Sequence, residues 1–161
     1  MLETMRCKII NLQDNDYKDV EKLYIDEKVR RFLGGTIDKT TYNSIFSEMN
    51  ISDNSSLYWV VRHKDNNKFL GLVSIDLHHD GISREISYQF LSEWWGLGYA
   101  EEVVKRIIKY AFEELKLQKL VAETQSANEY SCKLLKKVGM ELEQSVHRFG
   151  AEQYIFSICC A

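Results

Sequence analysis

The stretch ISREISYQFLSEWWGLGYA, residues 82–100, decides how this chain is read. It begins as a β-rich run over 82–91, passes through a loop holding Gly96 and Gly98, and enters a helical pattern at about Tyr99. From there Ala100, Val103, Val104, Ile107, Ile108, Ala111, Phe112 and Leu115 recur at i, i+3, i+4 and i+7, one wide apolar stripe. Glu101, Glu102, Lys105, Arg106, Lys109 and Glu113 take the other face, with Glu101→Lys105 and Glu102→Arg106 at the favourable i, i+4 spacing. A strand, a glycine loop and a helix start make an anion site in principle. The first amides of a helix lack internal partners, its dipole is positive there, and glycines let the backbone approach a phosphate. The same glycines also serve a plain tight turn. Glu101 and Glu102 stabilise a helix start without any ligand and oppose a phosphate unless they point away.

Outward from this segment, the preceding chain alternates at the period of strands. Residues 57–61 (LYWVV) and 69–77 (FLGLVSIDL) are joined by a polar turn at 65–68, and His79-Asp80-Gly81 turns again into 82–91. Short polar connections between three β-rich runs predict an antiparallel meander. Earlier still, 7–12 (CKIINL) reads as a first strand. Tyr17, Val20, Leu23 and Tyr24 fall at helical spacing behind Asp14 and Asp16 as caps. Val29, Phe32 and Leu33 suggest a short second helix stopped by Gly34-Gly35, and Ile45, Phe46 and Met49 a third from about Thr40. After the long helix, 119–124 (KLVAET) is a strand and 128–138 a helix closed by Gly139. Residues 141–149 and 153–158 form a hairpin split by 150–152. The order β-α-α-α-β-β-β-α-β-α-β-β predicts an α+β fold. A mainly antiparallel mixed sheet is flanked by helices, with one strand–helix–strand crossover near its middle.

The 161 residues fit one domain, 1–161, large enough to bury a core without a metal or disulfide staple. Net charge is −3 and the sequence pI near 5.8, against a protein whose main partner is nucleic acid. No apolar run reaches the roughly 18–20 residues of a membrane span, and residues 1–6 lack the apolar core of a secretory signal. Cys7, Cys132, Cys159 and Cys160 contain no CxxC pair, which predicts reduced thiols and a cytoplasmic location. His78-His79-Asp80 lacks a fourth ligand at a recognisable spacing, so a polar turn is expected there and no metal site.

Among phosphate-binding signatures, GxxxxGK[ST] is absent, and GxGxxG would need a third glycine where Glu101 stands. The residues instead resemble the acetyl-CoA-binding motif of the GNAT N-acetyltransferase superfamily. In its general form, [Q/R]xxGx[G/A], Trp95 takes the first position, Gly98 the central glycine and Ala100 the last. The string WGxGYAxE is typical of the RimJ/RimL-type branch. Asn128-Glu129-Tyr130-Ser131, followed by Leu134 to Met140, resembles that branch's second motif, NxxSxxxLxKxGF, with Met140 for the usual phenylalanine. The resemblance is specific between Glu85 and Met140.

The resemblance implies an acetyl-CoA-dependent N-acetyltransferase acting by direct attack of a primary amine on the thioester. The amine is that of a protein N-terminus or of a small molecule. Phe90, Leu91 and Ser92 would offer backbone hydrogen bonds to the pantetheine arm, and an amide near Phe90 would polarise the thioester carbonyl. Gly96, Leu97, Gly98, Tyr99 and Ala100 would hold the pyrophosphate, and Asn128 would bind pantetheine. Ser92 stands where the family commonly has proline. Leu135 stands where many members carry the tyrosine that protonates the leaving thiolate, and Ser131 is the expected substitute; as a plain helix-start hydroxyl it would bond its own backbone. No general base is identifiable; Glu152 and His147 are polar candidates that also fit ordinary surface residues. Tyr24, Phe32, Gly34-Gly35 and Tyr42 are candidate acceptor-side residues, and Cys132 reads as a structural thiol. Homodimers are common in this branch. Two other readings stay open on sequence: a GNAT-fold module that binds acetyl-CoA without efficient transfer, and a dinucleotide-binding oxidoreductase.

Overall fold

Strands buried on both faces carry nearly unbroken apolar runs, and the middle of this chain is built that way. A computed structural model describes residues 1–51 and 55–161. Its strands are β1 (Leu2–Glu3), β2 (Cys7–Asn11), β3 (Leu57–His63), β4 (Phe69–Leu77), β5 (Arg84–Phe90), β6 (Lys119–Gln125), β7 (Glu141–Arg148) and β8 (Ala151–Cys159). The helices are α1 (Tyr17–Tyr24), α2 (Glu27–Arg30), α3 (Lys39–Met49), α4 (Tyr99–Glu113) and α5 (Glu129–Lys137). One sheet runs in the order β1-β2-β3-β4-β5-β6-β8-β7. Its neighbours pair antiparallel except β5 and β6, which α4 joins as the parallel crossover.

The expected element order holds, with three adjustments. The second helix stops at Arg30, so Phe32 and Leu33, expected within it, lie in the turn that follows. A two-residue strand, β1, precedes the first expected one and pairs with β2, too short to show a period in the sequence. The last hairpin is tighter than expected: Ala151 and Glu152 already belong to β8, opposite Arg148 and His147. The turn is Phe149-Gly150, both at positive φ (57° and 74°), the two-residue form that matches strand twist.

Each face of the sheet has its own core. On one side α4 buries Val103, Val104, Ile107 and Ala111 completely, against Ile86, Leu120 and Phe156 of the sheet. On the other, Val20 and Leu23 of α1 meet Tyr42 and Phe46 of α3 over Val60 and Leu72. At about 1.5–3 kcal/mol for each large apolar side chain, these layers outweigh any single polar contact in fixing the sheet. Tyr24 and Tyr42, candidates for the acceptor side on sequence, belong to this second core instead. They are aromatics at helical spacing that face inward on the same stripes as Val20, Leu23, Phe46 and Met49.

Gly71 sets the end of β5. It lies opposite Phe90 in the β4–β5 register, and a Cβ there would stand 2.3 Å from the Gln89 carbonyl oxygen. Only glycine lets β4 approach so closely at the point where the chain leaves the sheet for the loop.

Candidate active site

The parallel β5–β6 ladder holds at one described pair, Glu85 opposite Val121. Beyond it the strands part. A cavity of about 550 Å³ opens between them, bounded by residues 85–90 of β5, residues 122–124 of β6, and Trp95, Ala100, Asn128, Tyr130, Ser131 and Leu135. Lys28, Val29, Arg31, Phe32 and Leu33, around α2, cover its other side. Two adjacent parallel strands that stop pairing leave a row of backbone groups free for something else.

Phe90 shows this most clearly. The Leu91 amide donates to the Leu70 carbonyl on the β4 side (2.9 Å). N–H directions alternate along a strand, so the Phe90 amide points to the opposite edge, into the cleft. The Phe90 carbonyl accepts from Trp95 Nε1 at 2.8 Å, which fixes the indole as a cleft wall. Leu91 and Ser92 do not line the cavity. The Leu91 side chain packs into the α1–α3 core, and the Ser92 carbonyl accepts from the Trp95 amide.

At the loop, Gly96 and Gly98 have φ of 76° and 84°, and Gly98 is the N-cap of α4 with no side-chain cap. The first backbone bond of the helix is Glu102 N–H to the Gly98 carbonyl at 3.1 Å, and no described acceptor takes the amides of residues 96–100. A Cβ added at Gly96 would meet nothing within 4 Å, so this face is open. A second hollow, of about 190 Å³, lies against Gly96 and Gly98, lined also by Glu101, Tyr130, Lys133, Leu134 and Lys137. Lys133 and Lys137, one helical turn apart on α5, bring positive charge to the loop. Glu102 is drawn away, its carboxylate accepting from Thr4 Oγ1, the Arg6 amide (3.0 Å) and Arg6 Nε (2.9 Å). Glu101 pairs with Lys105 at 3.0 Å. Leu97 is exposed, and the Tyr99 ring is buried beneath the Arg6 guanidinium, 4.0 Å from its centroid. These two contribute backbone only.

Asn128 caps α5, its side-chain oxygen accepting from the Ser131 amide at 3.2 Å. The amide therefore satisfies a neighbour in the helix, and the Ser131 hydroxyl is left to bond elsewhere. It meets the Tyr88 hydroxyl at 2.7 Å. Both line the cavity, and burial pushes the Tyr88 phenol well above its ordinary value. β5 thus brings a protonated tyrosine to the place where Leu135, buried in the cavity wall, has none to offer. The sequence signal for Tyr88 was its even-numbered position with Phe90 on one strand.

Glu85 and Glu123 also border the cavity, at the end away from the loop. Burial pushes the Glu85 carboxyl up to about 7; His78 lowers it, and Glu123 and Asp76 raise it further. Neither glutamate was singled out on sequence. Glu152 and His147, which were, lie on the β7–β8 hairpin outside the cavity, and Glu152 accepts from Ser145 Oγ at 3.0 Å. His78, expected in a polar turn, is 4% exposed and sits 2.9 Å from Glu123. The turn forms as expected through Asp80, whose carboxylate accepts from the Ile82 and Ser83 amides. Cys132 is half-buried, and burial raises its thiol pKa, as suits a structural thiol. Among acceptor-side candidates, Phe32 lines the cavity and Gly34-Gly35 do not. No group of three His, Cys, Asp or Glu side chains among the described residues is arranged to hold a metal ion.

The comparisons with known proteins agree with this geometry. The family model described as "Acetyltransferase (GNAT) domain" matches residues 6–141. A Bacillus subtilis protein, "Uncharacterized N-acetyltransferase YoaA", is 24% identical over 159 residues, covering 92% of this chain and 87% of its own. A GNAT-family acetyltransferase from Bacillus anthracis superposes with a TM-score of 0.85 at 21% identity, over 98% of this chain and 97% of its own. Spermidine N-acetyltransferase from Vibrio cholerae, solved with CoA and spermine, superposes with a TM-score of 0.81 at 17% identity, over 95% of each chain. Dinucleotide-binding folds are doubly wound about a mostly parallel sheet, whereas here one neighbouring pair is parallel, so the oxidoreductase reading falls. The chain belongs to the GNAT family of acetyltransferases.

Proposed function

We propose that the chain transfers the acetyl group of acetyl-CoA to a primary amine, as a cytoplasmic enzyme of the RimJ/RimL type. The observation that carries this is a pair of hollows that meet at Tyr130: the open loop at Gly96 and Gly98 borders the smaller, and residue Phe90, the Tyr88–Ser131 hydroxyls and the Glu85 carboxyl border the larger. The residues suit the cosubstrate. Gly96 leaves room for a diphosphate against the helix start, with Lys133 and Lys137 beside it. The free edge of β5 suits an extended pantetheine chain. Bound there, acetyl-CoA supplies a thioester carbon that bonds to the amine nitrogen as its C–S bond breaks.

The chain's own residues handle charge and protons. The Phe90 amide faces the cleft where a carbonyl oxygen would gain negative charge, a contribution of a few kcal/mol for one such donor. Glu85, poised near neutral pH, takes the proton that the amine must lose. The Tyr88–Ser131 pair donates a proton to the departing thiolate and is recharged from solvent. Support for the RimJ/RimL type is the pairing of WWGLGYA at 94–100 with Asn128 and Ser131. A module that binds acetyl-CoA without turnover has less support once Tyr88 and Glu85 fill the places that the sequence left empty. Release of free CoA, followed across a panel of peptide N-termini, polyamines and other small amines, tests the proposal. Acceptor-dependent release is expected; tight acetyl-CoA binding with no release on any acceptor would favour the module.

A further inference from the structure

Glu85 and Glu123 stand at the same end of the cavity, yet their surroundings differ. Each oxygen of Glu123 has its own cation or donor: His78 Nε2 at 2.9 Å from Oε1, and Arg148 Nε at 3.1 Å from Oε2. The Arg148 contact is one of charge, since its angle is not that of a hydrogen bond. The His78 ring meets Glu123 through Nε2, while its Nδ1 faces the Asp80 amide at 3.4 Å and the Asp80 carboxylate at 3.5 Å. Among the described residues, Glu85 has Ser87 Oγ at 3.5 Å and His78 Nε2 at 3.9 Å. The other nearby carboxylates are already occupied. Asp76 accepts from Ser56, Tyr58 and the Leu77 amide, and Asp80 from the Ile82 and Ser83 amides.

We propose that Glu123, held between His78 and Arg148, is a positioning residue that draws the acceptor in as an ammonium ion and keeps Glu85 ready to take its proton. The inference rests on the acetyl-transfer reading of the cleft. With Glu85 ionised, the set of Glu85, Glu123 and Arg148 carries one net negative charge, which an incoming ammonium cancels. After transfer the amide product is neutral and the proton resides on Glu85, so the site is neutral again. The acceptor class that fits is an aliphatic primary amine, charged at neutral pH, in preference to an aromatic amine, which arrives neutral. Like charge from Glu123 favours the protonated form of Glu85, and Arg148 opposes it.

The test is a carboxyl-carbon NMR titration of Glu85 in glutamate-labelled protein, its signal identified by loss in Glu85→Gln. Glu123→Gln should lower the Glu85 midpoint by about one pH unit, and Arg148→Met, at a half-exposed position, should raise it. Opposite shifts separate charge from general disturbance of the fold; an unmoved midpoint in both variants, or shifts of the same sign, overturns the proposal. In the same variants, Glu123→Gln should raise KM for an aliphatic amine about tenfold while leaving KM for acetyl-CoA in place. An unchanged amine KM also counts against it. Failure of the wild-type protein to acetylate any amine would defeat the acetyl-transfer reading alone, because the titration needs no turnover.

Discussion

The two ends of the cleft are built by different means. At the phosphate end, six consecutive residues, 95–100, supply a wall, two glycines and the start of a helix, so one local segment makes the site. At the acceptor end, Glu85 comes from β5, Glu123 from β6, His78 from the end of β4 and Arg148 from β7. Backbone amides line the first end, and their positions follow from local turn chemistry. Side-chain charges act at the second, and their meeting depends on sheet order. Cosubstrate binding can therefore be robust to surface change while acceptor chemistry is sensitive to single charged residues.

The acceptor end is the easier of the two to break. Glu85→Gln should lower kcat by about 10²–10⁴ and abolish the acidic limb of the pH–rate profile, with acetyl-CoA affinity retained. Steady-state kinetics over pH 5–9 decide it, and a surviving limb near pH 7 removes Glu85 from the mechanism. At the thiolate, Ser131→Ala and Tyr88→Phe should each lower turnover by roughly tenfold with little change in cosubstrate affinity. Because the two hydroxyls share one bond, the double variant should lose less than the product of the singles.

The same glutamate should trade stability for chemistry. Its folded-state pKa is raised to about 7, so the unfolded chain gives up this proton first. Folding is then unpenalised below the ordinary carboxylate value and increasingly penalised as pH rises through about 7, by roughly 3 kcal/mol at most. Glu85→Gln should accordingly raise Tm more at pH 8 than at pH 5; an equal gain at both would contradict the burial of an ionised group. The mildest change belongs to the phosphate end. Removing Lys133 and Lys137 together should weaken acetyl-CoA binding a few-fold, less in high salt, as befits exposed charges. Titration calorimetry at two ionic strengths would show it.

Legibility in the sequence divides along the same line. The element order, the parallel crossover through α4 and the loop at Gly96 and Gly98 could be read because each leaves a local signature in period or turn residues. Ser131 and Asn128 were found through a motif of fixed spacing. Tyr88 was quoted within that pattern but given no role, since only the fold brings its hydroxyl to Ser131. Glu85 and Glu123 were passed over, and His78 was read as part of a polar turn, because nothing local distinguishes a charged residue at a sheet surface from one buried where two strands diverge. Tyr24 and Tyr42 failed in the other direction: helical spacing shows that a side chain is buried, not whether it faces core or cleft.

Acetyl transfer by this chain stands or falls on the open amides of residues 96–100 gripping the diphosphate of acetyl-CoA. Titrating acetyl-CoA into the wild-type chain and into Gly98→Asp puts that grip to the test. The added side chain would sit at a backbone φ of 84°, its Cβ 3.3 Å from Arg6 Nη2, and so distort the turn that presents those amides. Saturable one-to-one binding should weaken by at least about tenfold, 1.4 kcal/mol, in a variant that remains folded. Equal affinity in the two proteins would refute the grip.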